Sequence, residues 1–210
     1  MLELIDSLDR IAVLLIHNDL DSKWLDWVMP IVRNPLASLP LYFWVLTLVM
    51  RNAKEHYVSF MILSIVLIAL TDLGSASLFK PWFARLRPLH DPFLKQYLRY
   101  LVEPGGEYSF PSSHAANHFG ISFLWYRLLK DWTSRKHYWL FAWASIICYA
   151  QVYVGKHYPT DILVGMLYGA FVAFVVYGFY KRFVFVQVPK SNSENVSTAS
   201  SIAIENNSNG

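Results

Sequence analysis

Residues 162–180 read ILVGMLYGAFVAFVVYGFY, nineteen residues without a charge, and their reading decides the fold. A run of that length crosses the roughly 30 Å hydrocarbon core of a bilayer as an α-helix, whose backbone satisfies its own hydrogen bonds where no water is available. The composition agrees. Hydrophobic residues make up 55% of the chain and charged residues only 16%, against roughly 25% charged in soluble domains. Working outward, apolar stretches at 138–153, 115–129, 57–79 and 36–50 predict four more helices of the same kind. The stretch at 36–50 begins among Pro35 and Pro40 and is short for a full crossing unless it extends backward through a kink. Gly165 and Gly169 form a Gly-x-x-x-Gly pair, which predicts close packing inside the bundle.

The two ends differ from this centre. From Leu2 to Ile16, apolar residues recur at helical spacing (Leu4, Ile5, Leu8, Ile11, Leu15) with Asp6, Asp9 and Arg10 between them, as in an amphipathic helix lying along the interface. The piece at 24–32, with Trp24 and Trp27 as interfacial anchors, predicts a re-entrant or second surface helix. Glu3, Asp6 and Asp9 leave no basic n-region of a cleaved signal peptide, so the first hydrophobic span is expected to direct insertion. The Ser/Asn-rich end, with sequons at Asn195 and Asn206, reads as a disordered tail. The expected architecture is an all-α, polytopic membrane helical bundle of five to six transmembrane helices with an N-terminal amphipathic interfacial helix. Its parts are an interfacial segment 1–33, a transmembrane domain 34–186 and a tail 187–210.

The net charge of +3 is mild and no basic stripe is interleaved with aromatics, which argues against nucleic acid as a partner. The lone Cys148 lies in an apolar run, so neither a disulfide framework nor a cysteine metal cluster is expected. Five spans from Leu36 onward put the connection 80–109 and the connection at 156–160 on one side of the membrane. Arg51, Lys54, Lys130, Arg135, Lys136, Lys181, Arg182 and Lys190 then fall on the other, cytoplasmic by the positive-inside rule if Lys80 and Arg87 are set aside as functional.

Three segments meet on the shared side. Lys80 to Pro88 carries three cations directly after a span; alone, it reads equally as lipid-headgroup anchors. Phe110 to His118 is a small hydroxyl turn running into a helix, either a simple N-cap or the floor of an anion site. In Tyr153 to Asp161, His157 and Asp161 are four apart, so the carboxylate could orient the imidazole or merely staple a helix start. Together they supply two histidines, an orienting acid, fixed cations and a helix N-terminus beside the bilayer, which is what phosphoryl transfer from a lipid requires.

These residues resemble the type 2 phosphatidic acid phosphatase superfamily over about residues 60 to 180. Its first signature, Lys, six residues, Arg-Pro, is matched by Lys80 and Arg87-Pro88. Its second, Pro-Ser-Gly-His, is matched by Pro111, Ser112 and His114, with Ser113 in the glycine place. Its third, Ser-Arg, five residues, His, three residues, Asp, is matched by His157 and Asp161, but the first pair reads Ala150-Gln151. The resemblance implies that His157 attacks phosphorus and becomes a phosphohistidine, Asp161 orients it, and His114 protonates the leaving oxygen. Lys80, Arg87, Ser112, Ser113 and Gln151 would hold the phosphoryl oxygens, with no metal and no other cofactor. Gln151 brings no charge, so Lys156 or Arg85 is expected to compensate. The implied function is an integral-membrane lipid phosphatase, acting on a lipid mono- or diphosphate at the outer face of a bacterial inner membrane. The alternative is a non-catalytic lipid-phosphate binder or transporter.

Overall fold

The computed structural model describes residues 2–184, and the regular elements among them are helical, joined by an isolated antiparallel bridge between Leu86 and Tyr108. The expected tail at 187–210 and both sequons lie outside the described residues. The chain divides into two units, residues 1–177 and 178–210. The first holds the site; in the second, the Phe179 and Phe183 rings stack at 5.6 Å.

The helices are α1 (Leu2–Leu14), α2 (Lys23–Val32), α3 (Leu39–Asn52), α4 (Tyr57–Asp72), α5 (Lys80–Phe83), α6 (Ser113–Thr133), α7 (Trp139–Tyr153) and α8 (Pro159–Phe183). Ser22 caps α2 by accepting from the Leu25 N–H at 3.2 Å. Asn34 caps the short turn Pro35–Ser38, and α3 starts with Pro40 in its first turn, where a missing N–H costs nothing. The run 23–32 and the run 35–52 are bent by 79° at this break, which settles the N-terminal piece as half of a sharply broken pair. α4 continues through a wider-wound segment, Leu73–Phe79, into α5.

By length and apolarity, two helices among the described residues can cross a membrane, Lys54–Phe83 and Pro159–Phe183, and a third if the bent pair counts as one span. Five to six were expected. α7 is apolar but only 15 residues long, and α6 carries His114, Asn117, His118, Arg127, Lys130 and Asp131 within its 21 residues.

The outward surface is apolar and the interior carries polar pins, the arrangement a lipid solvent favours. Leu167, Phe171 and Phe174 of α8, Phe43 of α3 and Ile62 and Ile65 of α4 are exposed. Inside, Trp125 Nε1 donates to Ser64 Oγ at 2.9 Å and Ser122 Oγ donates to the Leu140 carbonyl at 2.9 Å. The glycine pair works at contact distance. A Cβ at Gly169 would sit 2.8 Å from the Ala116 carbonyl carbon, and one at Gly165 would sit 3.0 Å from Ala115 Cβ. Gly169→Val should therefore drive α8 off α6. We expect a loss of at least about 3 kcal/mol, since the blocking atoms are backbone and overpacking alone costs about 1–3, read as a collapse of the monodisperse peak on size exclusion.

α1 departs from the expectation in one respect. Its apolar residues Leu4, Ile5, Leu8 and Ile11 do face outward, but Asp9 on the polar side is buried in protein. Just beyond the helix, His17 is also buried. Its Nδ1 bonds the Tyr153 carbonyl at 2.6 Å and its Nε2 accepts the Arg99 N–H at 2.8 Å, so the ring is neutral with its proton on Nδ1. Burial holds its pKa below the usual histidine value, consistent with that form. The N-terminal helix is thus tied to the end of α7 and to the long 84–109 loop.

Candidate active site

The first turn of α6 is built by Ser112, whose side chain accepts from the Ala115 N–H at 3.3 Å. The Ser112 N–H donates to the Asp161 carbonyl at 3.0 Å, joining the start of α6 to the first turn of α8. Gly165 makes this possible, because a side chain there would meet the Ser112 carbonyl. Ser113 accepts or shares a hydrogen bond with Ser75 Oγ at 2.8 Å, and His114 follows in the same turn. Two helix N-termini therefore begin side by side, each with free amides and the positive end of a dipole.

Between α7 and α8 the chain turns at Gly155, whose φ of +72° suits glycine, and a Cβ there would crowd Leu89. This turn presents His157, 1% exposed, beside Asp161, which is fully buried. His157 Nδ1 stands 3.6 Å from Asp161 Oδ2, an electrostatic contact longer than a hydrogen bond, and Nδ1 has no other partner among the described residues. The carboxylate is fixed from two sides, by the Tyr158 N–H at 2.8 Å and Arg85 Nη1 at 2.9 Å. Burial, reinforced by Arg87 and Lys80 and opposed by Asp161, lowers His157 to about 4. The imidazole is therefore neutral near pH 7 and keeps a lone pair to give.

The cations come from the loop after α5. Lys80 opens α5, and Arg87 is anchored through its N–H to the Glu107 carbonyl at 3.0 Å and through Nε to the Tyr108 carbonyl at 3.1 Å. The Glu103–Gly106 turn lies over this cluster: Lys156 Nζ donates to the Glu103 and Pro104 carbonyls, and a Cβ at Gly105 would be 2.9 Å from it. Burial and then Arg33 hold Arg87 below its usual value, while burial, Arg87 and Arg33 bring Lys156 down to about 8. Cations gathered closely enough to depress one another make this locus a candidate anion site.

Arg85 corrects the sequence reading. It does not join the cations around His157; it bridges Asp161, Asp9 at 2.8 Å and Asp6 at 3.1 Å, also bonds Thr160 Oγ1, and lies 4.0 Å over the Tyr158 ring. With three carboxylates around it, its charge is already spent. Lys156, the other expected substitute for Gln151, has its ammonium on backbone carbonyls. Gln151 itself is fully buried; its Oε1 accepts from Arg33 Nε at 3.4 Å and its Nε2 has no partner among the described residues. Sequence reasoning passed over Arg33, which lies 118 positions away with no motif around it. It also passed over Asp6 and Asp9 as supports of Asp161, reading them only as the wet face of a surface helix. His118 packs edge-on to Trp143 at 4.7 Å, in the bundle. Asp72 accepts from Asn117 Nδ2 at 2.9 Å.

A cavity of about 280 Å³ opens beside the site, lined by Pro35, Asp72, Ser113, His114, Asn117 and His118 among others. It shares Tyr42, Ile68 and Ile121 with a mainly apolar groove of about 240 Å³ between α3, α4 and α6. Among the described residues, no three His, Cys, Asp or Glu side chains are grouped as metal ligands.

Comparison with known proteins gives concordant results. The sequence model of the PAP2 superfamily matches residues 41–185. The lipid A 4'-phosphatase of Bacteroides thetaiotaomicron is 30% identical over 181 residues, which cover 84% of this chain and 79% of that protein. The undecaprenyl-diphosphatase of Sulfolobus acidocaldarius is 30% identical over 141 residues, 64% of this chain and 62% of that protein. Among solved structures, a transmembrane PAP2-type phosphatidylglycerolphosphate phosphatase from Bacillus subtilis superposes with a TM-score of 0.66 at 23% identity, covering 85% of this chain and 87% of its own.

Proposed function

The chain belongs to the PAP2 superfamily, and from that premise we propose that it is an integral-membrane lipid phosphatase working through a phosphohistidine, without a metal. The observation that carries this reading is the neutral, buried His157 beside a fixed carboxylate and near Lys80 and Arg87, which form no ion pair within 4.0 Å among the described residues.

In the proposed mechanism the phosphoryl oxygens lie against Lys80, Arg87, Ser112 and the amides of the α6 first turn at Ser113, with Gln151 below them. Positive charge and free N–H groups stabilise the charge that develops on the equatorial oxygens. The His157 Nε2 lone pair forms the N–P bond as the P–O bond to the lipid breaks. Asp161 orients the ring and stabilises its developing positive charge. The incoming phosphate favours the protonated form of His114, which gives its proton to the leaving oxygen. Neutral His114 then takes a proton from water as the water oxygen attacks phosphorus, and the N–P bond breaks to release inorganic phosphate.

The lipid tail runs from the His114 cavity into the apolar groove between α3, α4 and α6, gaining lateral access from the bilayer. We read α3, α4, α6, α7 and α8 as five crossing helices of the domain 34–186, with the segment 1–33 along the interface. The site then faces the outside of a bacterial inner membrane. A lipid A-type phosphate heads the substrate classes because the relative matched over most of its length carries that name. Polyprenyl diphosphate, phosphatidylglycerophosphate and phosphatidic acid follow.

Phosphate release by detergent-purified protein from these four lipids, with EDTA present, tests the proposal. We expect turnover of at least one lipid that EDTA does not diminish. Turnover abolished by EDTA and restored by a divalent cation would overturn the metal-free mechanism. Binding of lipid phosphate without turnover would favour the binder.

A further inference from the structure

Arg33 ends α2 at the vertex of the 79° bend, a position where an arginine ordinarily turns outward to the headgroups. Here it turns inward. Its Nε donates to Gln151 Oε1, on a side chain with no exposure at all, and it forms no ion pair within 4.0 Å among the described residues. Two residues on, Pro35 lines the same cavity as Ser113 and His114, so the vertex borders the site. Arg33 also lies close enough to Arg87 and Lys156 to depress both. A third cation brought to two others, without a carboxylate of its own, is unfavourable until an anion arrives.

Gln151 carries the second observation. Among the described residues its Nε2 is a buried donor without an acceptor, a desolvation cost that a bound ligand would relieve. The side chain is held from one end and open at the other: Oε1 faces Arg33 and Nε2 is left to give.

We propose that Arg33 and Gln151 act as one unit that binds the transferring phosphoryl group, Arg33 supplying the charge and Gln151 holding the guanidinium through Oε1 while offering its Nε2–H to a phosphoryl oxygen. The cation absent from the Ala150-Gln151 pair is thereby delivered from the end of the segment 1–33. This inference rests on the phosphatase reading for its chemistry, but the anion site can be tested without turnover.

The test uses full-length protein in detergent, with two readouts: phosphate release from the best lipid substrate, and the thermal shift produced by orthovanadate, a phosphate mimic. Arg33→Ala should lower kcat at least 100-fold, the scale of losing one transition-state donor, and abolish the vanadate shift. Arg33→Lys, which retains charge but not the fork that meets Gln151, should recover part of both. The exchange variant Arg33→Gln with Gln151→Arg should recover at least tenfold over Arg33→Gln alone. Should Arg33→Ala not fold, judged by size exclusion, the Lys and exchange variants decide. An exchange variant that folds but does no better than Arg33→Gln overturns the proposal, as does an Arg33→Ala enzyme within threefold of wild type with its vanadate shift intact. Wild-type protein that binds vanadate through Arg33 but hydrolyses no lipid sustains the anion site and sinks the lipid phosphatase. Wild-type protein that does neither sinks both.

Discussion

His157→Ala should abolish phosphate release, with kcat falling on the order of 10⁴-fold or more, the range seen when an attacking nucleophile is removed. No neighbour should take its place: the proposed mechanism assigns His114 to the leaving group, and Lys156 is engaged with the Glu103 and Pro104 carbonyls. The protein should stay folded, because His157 Nδ1 makes no hydrogen bond that the variant would lose. Rapid alkaline quenching of wild-type enzyme with radiolabelled lipid should trap labelled protein, and the variant should trap none. Label retained at wild-type level in His157→Ala would assign the nucleophile elsewhere.

The same residue sets a pH dependence whose sign follows from its environment. His157 is lowered to about 4 from an ordinary 6.5. Between these values the unfolded chain binds the extra proton and the folded chain does not, so stability rises with pH across the window. The contribution is complete above about 6.5 and is lost as pH falls toward 4. We expect the rate limb due to this group to lie near pH 4, leaving kcat/KM insensitive to it from pH 7 down to about 5. In His157→Ala, the part of the acid destabilisation between pH 6.5 and 4 that this imidazole causes should vanish, measured by thermal melts across pH. A limb near 6.5 in the wild type would place His157 in a wetter setting than the structure shows.

Asp161→Asn should have the second largest effect, because it damages two things at once. Asp161 receives donors on both oxygens, Arg85 on Oδ1 and the Tyr158 N–H on Oδ2. An amide can accept on one side only, so its NH₂ must face either a guanidinium or a backbone N–H. Removing one partner of a buried pair costs about 3–5 kcal/mol, and we expect the lower end, about 3 kcal/mol, because Arg85 keeps Asp6 and Asp9. Catalysis should fall on the order of 10³–10⁴-fold, the scale known for a histidine that loses its orienting carboxylate. The melting temperature and kcat of the purified variant check both parts. A stable variant with near-normal kcat would show that Arg85 and its carboxylates, rather than Asp161, hold the site together.

Features carried by neighbouring residues were legible in the chain. The uncharged run 162–180 sits within α8, the apolar stretch at 57–79 covers α4 and the wider-wound segment Leu73–Phe79, the stretch at 138–153 coincides closely with α7, and Ser112 caps α6 as its position before the helix implied. His157 and Asp161, four apart, do come to 3.6 Å, and the glycine pair does meet α6 at contact distance. Each of these depends on helical periodicity, on a cap, or on the absence of a side chain, all of which act over a few residues. Charge partners over long separations were not legible. Arg85 looked like a phosphate ligand by its place in a basic segment, and three carboxylates took it, two of them from α1. Asp9 looked solvated by its helical phase, and the fold buried it against Thr160 and Arg85. Arg33 stands in no motif and drew no reading, and the fold sets it against Gln151 at the 79° bend. A charge has no period, and its partner is whichever opposite or polar group the packing brings within about 4 Å. The local sequence therefore determined the helices, their caps and the spacing of the histidine and acid, while only the tertiary structure decided which cations were neutralised and which remained for an anion.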